Sequence, residues 1–144
     1  MSFYAGQSRE ALRETYREAW RKWRERLPLQ PVEMQIADVI NAHPEYQRLI
    51  ESEAGLARDF LPEGGRENPF LHMGLHLALR EQIRTDRPPG IRAVHQRLLA
   101  TGDEAHDVEH RMIEVLAATL WEAQRNHAAP DEQTYLRRLQ TLVR

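Results

Sequence analysis

Two pairs of histidines carry the chemistry this sequence is able to offer. His72 and His76 sit four residues apart in "NPFLHMGLHLALREQ", and His106 and His110 repeat the spacing in "DEAHDVEHRMIEV". Residues four apart on a helix are neighbours on one face. The chain holds seven histidines, which chance would arrange into only about 0.3 such pairs. At about 100° per residue, His72 and His76 continue into Leu79 and Ile83, and His106 and His110 into Ile113, Ala117 and Leu120. Both pairs therefore fall on stripes expected to face a core. A buried imidazole needs hydrogen-bond partners or a ligand.

A metal ion is one such ligand. Neutral imidazole binds Zn, Fe, Mn or Ni, and helical bundles build metal sites from inward side chains on facing helices. The candidate ligands are His72, His76, His106 and His110. Glu109 and Glu114 lie about 100° and about 40° around their helix from His110, and Glu45 in "HPEY" is a further candidate. These carboxylates suit roles as ligands or as partners that orient the rings. The alternative is a hydrogen-bonded network of His, Glu and Arg without metal, in a non-enzymatic interaction module or homodimer. His95 falls on the apolar side of its helix and reads as a satisfied core residue. His43 fits a turn, and His127 a helix end, where a cation is favoured.

Other chemistry is weaker. "HDVEH", His106 to His110, matches the H-x-x-E-H helix of inverted zinc peptidases. That class needs a distant acidic ligand in a large α/β fold, and only Arg111 to Arg144 follow. Neither "EGG" nor "PPG" follows a strand or precedes Gly-Lys-Ser/Thr, so neither is a phosphate loop. The residues choose no reaction, and they leave open whether the protein is an enzyme at all.

The elements that must position these side chains are helical. Apolar residues recur at helical spacing, and no run alternates as a strand would. The expected architecture is all-α, a compact bundle of about six or seven helices in a single domain over 1–144. The first helix is expected over 9–27, with Ser8 as its cap and a stripe of Leu12, Tyr16, Ala19, Trp20, Trp23 and Leu27. A short helix follows over 31–42, opened by Pro31, and another over 44–54. "LPEGGRENP" reads as a loop. Asn68 caps and Pro69 opens a helix to about Thr85, with Leu71, Leu75, Leu79 and Ile83 helping to bury it. Further helices are expected over 91–100, from a cap at Asp103 to about 128, and over 132–143 after Asp131.

Composition narrows the class. The 144 residues carry a net charge of −2 and no cysteine, which excludes disulfides and thiolate ligands. Of the 20 basic residues, Lys22 alone is lysine. Nothing approaches the about 20 apolar residues that span a bilayer, so the expected localisation is cytoplasmic. Arg9, Arg13, Arg17 and Arg21 form a ladder that RNA contact would use, but Glu10, Glu14, Glu18 and Glu25 offset it, and a salt-bridged wet face is the expectation. Trp20, Trp23 and Trp121 are candidate anchors for a homodimer.

With "HPEY", "NPFLHMGLHLALREQ", "DRPPGI", "HDVEHRMIEVL" and "LWEAQRN…PD…YL" in view, the chain resembles the bacterial, mainly proteobacterial, family catalogued as domain of unknown function 1841. The resemblance runs from the first helix to Tyr135. It implies a single-domain cytoplasmic protein and transfers no catalytic residue.

Overall fold

Residues 8–58 and 68–143 are described in the computed structural model. The loop expected over "LPEGGRENP" falls outside them up to residue 67. Among the described residues there are eight helices and no strand: α1 (Arg9–Arg24), α2 (Pro31–Asn41), α3 (Pro44–Glu51), α4 (Glu53–Ala57), α5 (Pro69–Thr85), α6 (Ile91–Leu99), α7 (Ala105–Arg125) and α8 (Glu132–Thr141). None of these helices is long and apolar enough to cross a membrane.

The starts follow local chemistry. Ser8 accepts a hydrogen bond from the Ala11 amide at 3.2 Å, and Asn68 Oδ1 accepts from the Phe70 amide at 3.0 Å, as short polar side chains do at helix N-termini. Asp131 accepts from the Gln133 amide at 3.1 Å. The span expected as one helix over 44–54 is two. Ser52 stands in extended conformation, ends α3, and accepts the Gly55 amide at 2.9 Å to begin α4. The cap of α7 is Glu104, one residue beyond the expected Asp103.

Three ends share a device that residue type does not announce. Arg26, Asp86 and His127 adopt left-handed backbone, with φ of 57°, 52° and 51°. In each case the following amide reaches back to close the helix: Leu27 to the Lys22 carbonyl, Arg87 to Gln82, and Ala128 to Ala123, each at 2.9 Å. This is the Schellman closure, usually built on glycine. It stops α1 at Arg24 and α7 at Arg125, short of the expected ends at 27 and 128.

The chain divides into two compact units, 1–77 and 78–144. In the first, α1 packs against α2, α3 and α4. Its core holds Tyr16, Trp20, Ile36, Val39, Ile40, Ile50, Phe70, Met73 and Leu77. Phe70 meets Tyr16 edge-on with ring centroids 5.7 Å apart, and the Arg13 guanidinium lies 4.5 Å from the Phe70 centroid. Arg13 is itself buried and donates to the carbonyls of Leu56 (2.8 Å) and Arg58 (2.7 Å), which closes the end of α4. On the wet side of α1, Arg21 pairs with Glu18 and Glu25, the salt-bridged face expected from the sequence. Lys22 pairs with Glu33 at 2.7 Å.

In the second unit, α6 packs against α7 and α8, and α7 against α8. Leu79, Ile91, Val94, Leu98, Val108, Met112, Leu116 and Leu139 are buried. Asp86 Oδ1 accepts from the amides of Gly90 and Arg92, both at 3.1 Å, and so organises the start of α6. Gly90 has φ 107°, which L side chains rarely adopt. Leu27, expected on the buried stripe of α1, is exposed. So is Leu71, expected to help bury α5, at 62%.

Candidate metal centre

The centre is built on α5 and on the junction of α2 with α3. Pro69 sets the first turn of α5, and the helix then presents His72 and His76 one turn apart. His76 is 0% exposed and His72 is half-buried. Their Nε2 atoms stand 3.1 Å apart, with ring centroids at 4.8 Å. The inward direction expected for this pair therefore holds, and it holds most strongly for His76.

His43 joins them. Its backbone is the N-cap of α3, at the turn where Pro44 disfavours helical geometry in the residue before it. Its ring is buried, at 1% exposure. The ring centroid lies 4.6 Å from that of His76 and 5.2 Å from that of His72, edge-on to both. Tyr46 stacks on the other side of the packing, 5.3 Å from His43 with the planes 5° apart. The ligand nitrogens of His43, His72 and His76 all lie within 4.8 Å of one another. The sequence reading of His43 as a turn residue was correct for the backbone and missed the ring. The signal that pointed to it was "HPEY": a proline-fixed turn holds its preceding side chain in one place.

The tautomer of His43 follows from one contact. Its Nδ1 is 2.7 Å from the Val39 carbonyl. A carbonyl only accepts, so Nδ1 carries the hydrogen and donates it. In the neutral ring Nε2 then keeps its lone pair. This is the arrangement metal-binding histidines use, with one nitrogen tied to a carbonyl and the other left to coordinate.

In the second unit, the other expected pair is also together: the rings of His106 and His110 have centroids 4.2 Å apart at 63°. Both are half-buried. Glu109 pairs with Arg80, Oε1 to Nε, at 3.0 Å. Glu114 is exposed, as is Glu45 of the first unit. His95 is half-buried on α6; burial pushes its pKa below the usual histidine value, and the Glu109 carboxylate opposes that shift. His127 is exposed just past the end of α7.

The three imidazoles fit a divalent transition metal by geometry. Two imidazole nitrogens on one tetrahedral zinc, each about 2.0–2.1 Å from it, stand about 3.3–3.4 Å apart. The 3.1 Å between the His72 and His76 nitrogens is close to that value. The donor set contains no sulfur and fits Zn, Fe, Mn or Ni alike.

No curated protein and no solved structure matches this chain. A family model does match, over residues 8–141. On that match, covering nearly all of the sequence, the chain belongs to the family described as Domain of unknown function (DUF1841).

Proposed function

We propose that the protein binds one divalent transition metal through His43, His72 and His76. His106 and His110 pack on each other in the second unit. Glu109 and Glu114 are candidates by spacing; Glu109 pairs with Arg80 and Glu114 is exposed. The observation that carries the reading is the convergence of three imidazoles, two of them fully buried, with His43 held by the Val39 carbonyl in the tautomer that leaves Nε2 to coordinate. Metal analysis of protein purified without a histidine tag tests it. The expected result is one metal per chain and a lower melting temperature after chelation. Metal-free protein that neither takes up zinc or cobalt nor changes its melting with chelator overturns it.

A second reading has one observation in its favour. The 3.1 Å between the His72 and His76 nitrogens is also a hydrogen-bond distance, with one neutral ring donating to the other. The protein would then be a non-enzymatic module whose histidines form a network. Its contact surface would be the groove lined by Trp23, Leu27, Leu29 and Met34, where Trp23 is 37% exposed. This reading expects a homodimer by light scattering that Trp23→Ala weakens, and a strict monomer removes it.

A further inference from the structure

We propose that the groove at the end of α1 docks a short acidic, amphipathic segment of a partner protein, with an aromatic or leucine anchor in the groove and Asp or Glu set on Arg26. The inference is independent of the histidines, and it gives the groove a different occupant from the second copy considered above.

The groove lies within the first unit. Trp23, Leu27, Leu29 and Met34 supply its apolar lining, and Arg24 and Arg26 its charge. Its origin is local. The apolar stripe of α1 runs on through Trp23 to Leu27, but the helix ends at Arg24 and the chain turns through left-handed backbone at Arg26. The stripe therefore outruns the core it belongs to. Trp23 packs one face on Trp20, with centroids 5.1 Å apart and planes at 9°. It remains 37% exposed, Leu27 41% and Met34 43%. Single exposed apolar residues are ordinary, whereas several lining one concavity mark a contact site.

The lining is held in place before a partner arrives. The Leu27 amide donates to the Lys22 carbonyl at 2.9 Å. The Gln30 amide donates to the Glu33 carboxylate at 2.9 Å, and that carboxylate pairs with Lys22 at 2.7 Å, which ties the end of α1 to the start of α2. A preformed groove has little ordering cost on binding.

Charge selects the occupant. Both charged residues of the lining are arginines. Arg24 pairs with Glu51 at 3.0 Å, and Arg26 is exposed. A guanidinium presents a planar fork that a carboxylate matches, and Trp with Arg is the combination that carries binding energy at interfaces. A second copy meets an obstacle. An isologous contact sets the same patch against itself, arginine toward arginine, and like charges across an interface cost affinity. A partner that carries carboxylates turns the same charge into attraction.

The experiment selects random peptides displayed on phage against the full chain. Selected peptides are synthesised with a dye and titrated by fluorescence anisotropy against the parent protein, Leu27→Ala and Arg26→Glu. Both positions are exposed, and unchanged far-ultraviolet circular dichroism establishes that the variants fold. Peptides that Leu27→Ala weakens are the groove binders. They are expected to carry Asp or Glu beside an aromatic residue or leucine, to lose at least about 10-fold in affinity with Arg26→Glu, and to weaken as salt rises. Groove binders that lack acidic residues, or that bind Arg26→Glu as tightly as the parent, overturn the proposal. So does a selection that yields no peptide dependent on Leu27, and so does a homodimer that Leu27→Ala dissociates, read by light scattering.

Discussion

The Nε2 atoms of His72 and His76 stand 3.1 Å apart across one turn of α5, a separation suited to two ligands of one ion. Because both rings come from a single helix, the backbone fixes this spacing without help from a loop. His72→Ala and His76→Ala are therefore expected to weaken cobalt or zinc binding by at least about 10-fold, since loss of even an outer partner of a metal ligand costs that much. Competition with a chromogenic chelator reads the affinity. His72 is half-buried, so its alanine variant should fold normally. Unchanged affinity in a folded His72→Ala protein contradicts the ligand assignment.

The contact between His43 Nδ1 and the Val39 carbonyl sets a second expectation. In metal-free protein at neutral pH, His43 should populate the tautomer with hydrogen on Nδ1. Long-range proton–nitrogen NMR of the imidazole distinguishes the two ring nitrogens. A His43 signal with hydrogen on Nε2 would show that the carbonyl does not hold the ring.

Trp20 combines core packing with a polar tip. Its ring is buried, and its Nε1–H donates to Glu51 at 3.0 Å. Trp20→Phe should cost about 1–2 kcal/mol, mostly the lost hydrogen bond and some volume. Trp20→Ala should cost about 3–5 kcal/mol, because it opens a cavity among Tyr16, Ile36 and Ile40. Urea unfolding measures both, and a Trp20→Phe protein as stable as the parent would show that the indole N–H contributes nothing.

His95 predicts a pH dependence in the second unit. Burial depresses its folded pKa below 6.5, with Glu109 opposing. The unfolded chain therefore takes up the proton first as pH falls. His95's contribution to stability is full above about pH 6.5 and is lost as pH drops through that value toward the folded pKa. His95→Gln should flatten the stability curve in this window, and an unchanged slope would assign the dependence to other groups.

Asp86 acts at the start of α6, where Gly90 and Arg92 amides donate to it and hold its carboxyl below the usual aspartate range. Its stabilising effect is present above about pH 3.8 and fades as pH falls through the lower folded value. Asp86→Ala should lower the melting temperature at pH 7, and the gap to the parent protein should narrow in acid. A gap that stays constant from pH 7 to strong acid would show that the carboxylate charge is not involved.

Much of this architecture is legible in the sequence, for physical reasons that differ by residue. Ser8, Asn68, Pro69 and Asp131 mark helix starts because their side chains or missing amides suit the first turn. The ends are less legible. Arg26 and His127 close helices through a left-handed backbone, and neither residue type signals that conformation. Ser52 did carry a signal, since serine favours caps, but the apolar spacing around it continues and hides the break. On α5 the buried positions Phe70, Met73, His76, Leu77 and Leu79 cover about half of the circumference, and a stripe drawn through Leu71 puts that leucine on the other half. His72 and His76 were placed inward by periodicity. His43 was not, because periodicity says nothing about a ring that hangs from a turn.

The pairing of Lys22 with Glu33 has a practical side. Lys22 is the only lysine among 144 residues, and a carboxylate holds its ammonium at 2.7 Å. Amine-reactive dyes, crosslinkers and sensor surfaces therefore find one side-chain target, and that target is partly shielded. A label attached there would sit at the end of α1 beside Trp23, whose fluorescence it would report on, while the histidine-bearing helix α5 stayed chemically untouched.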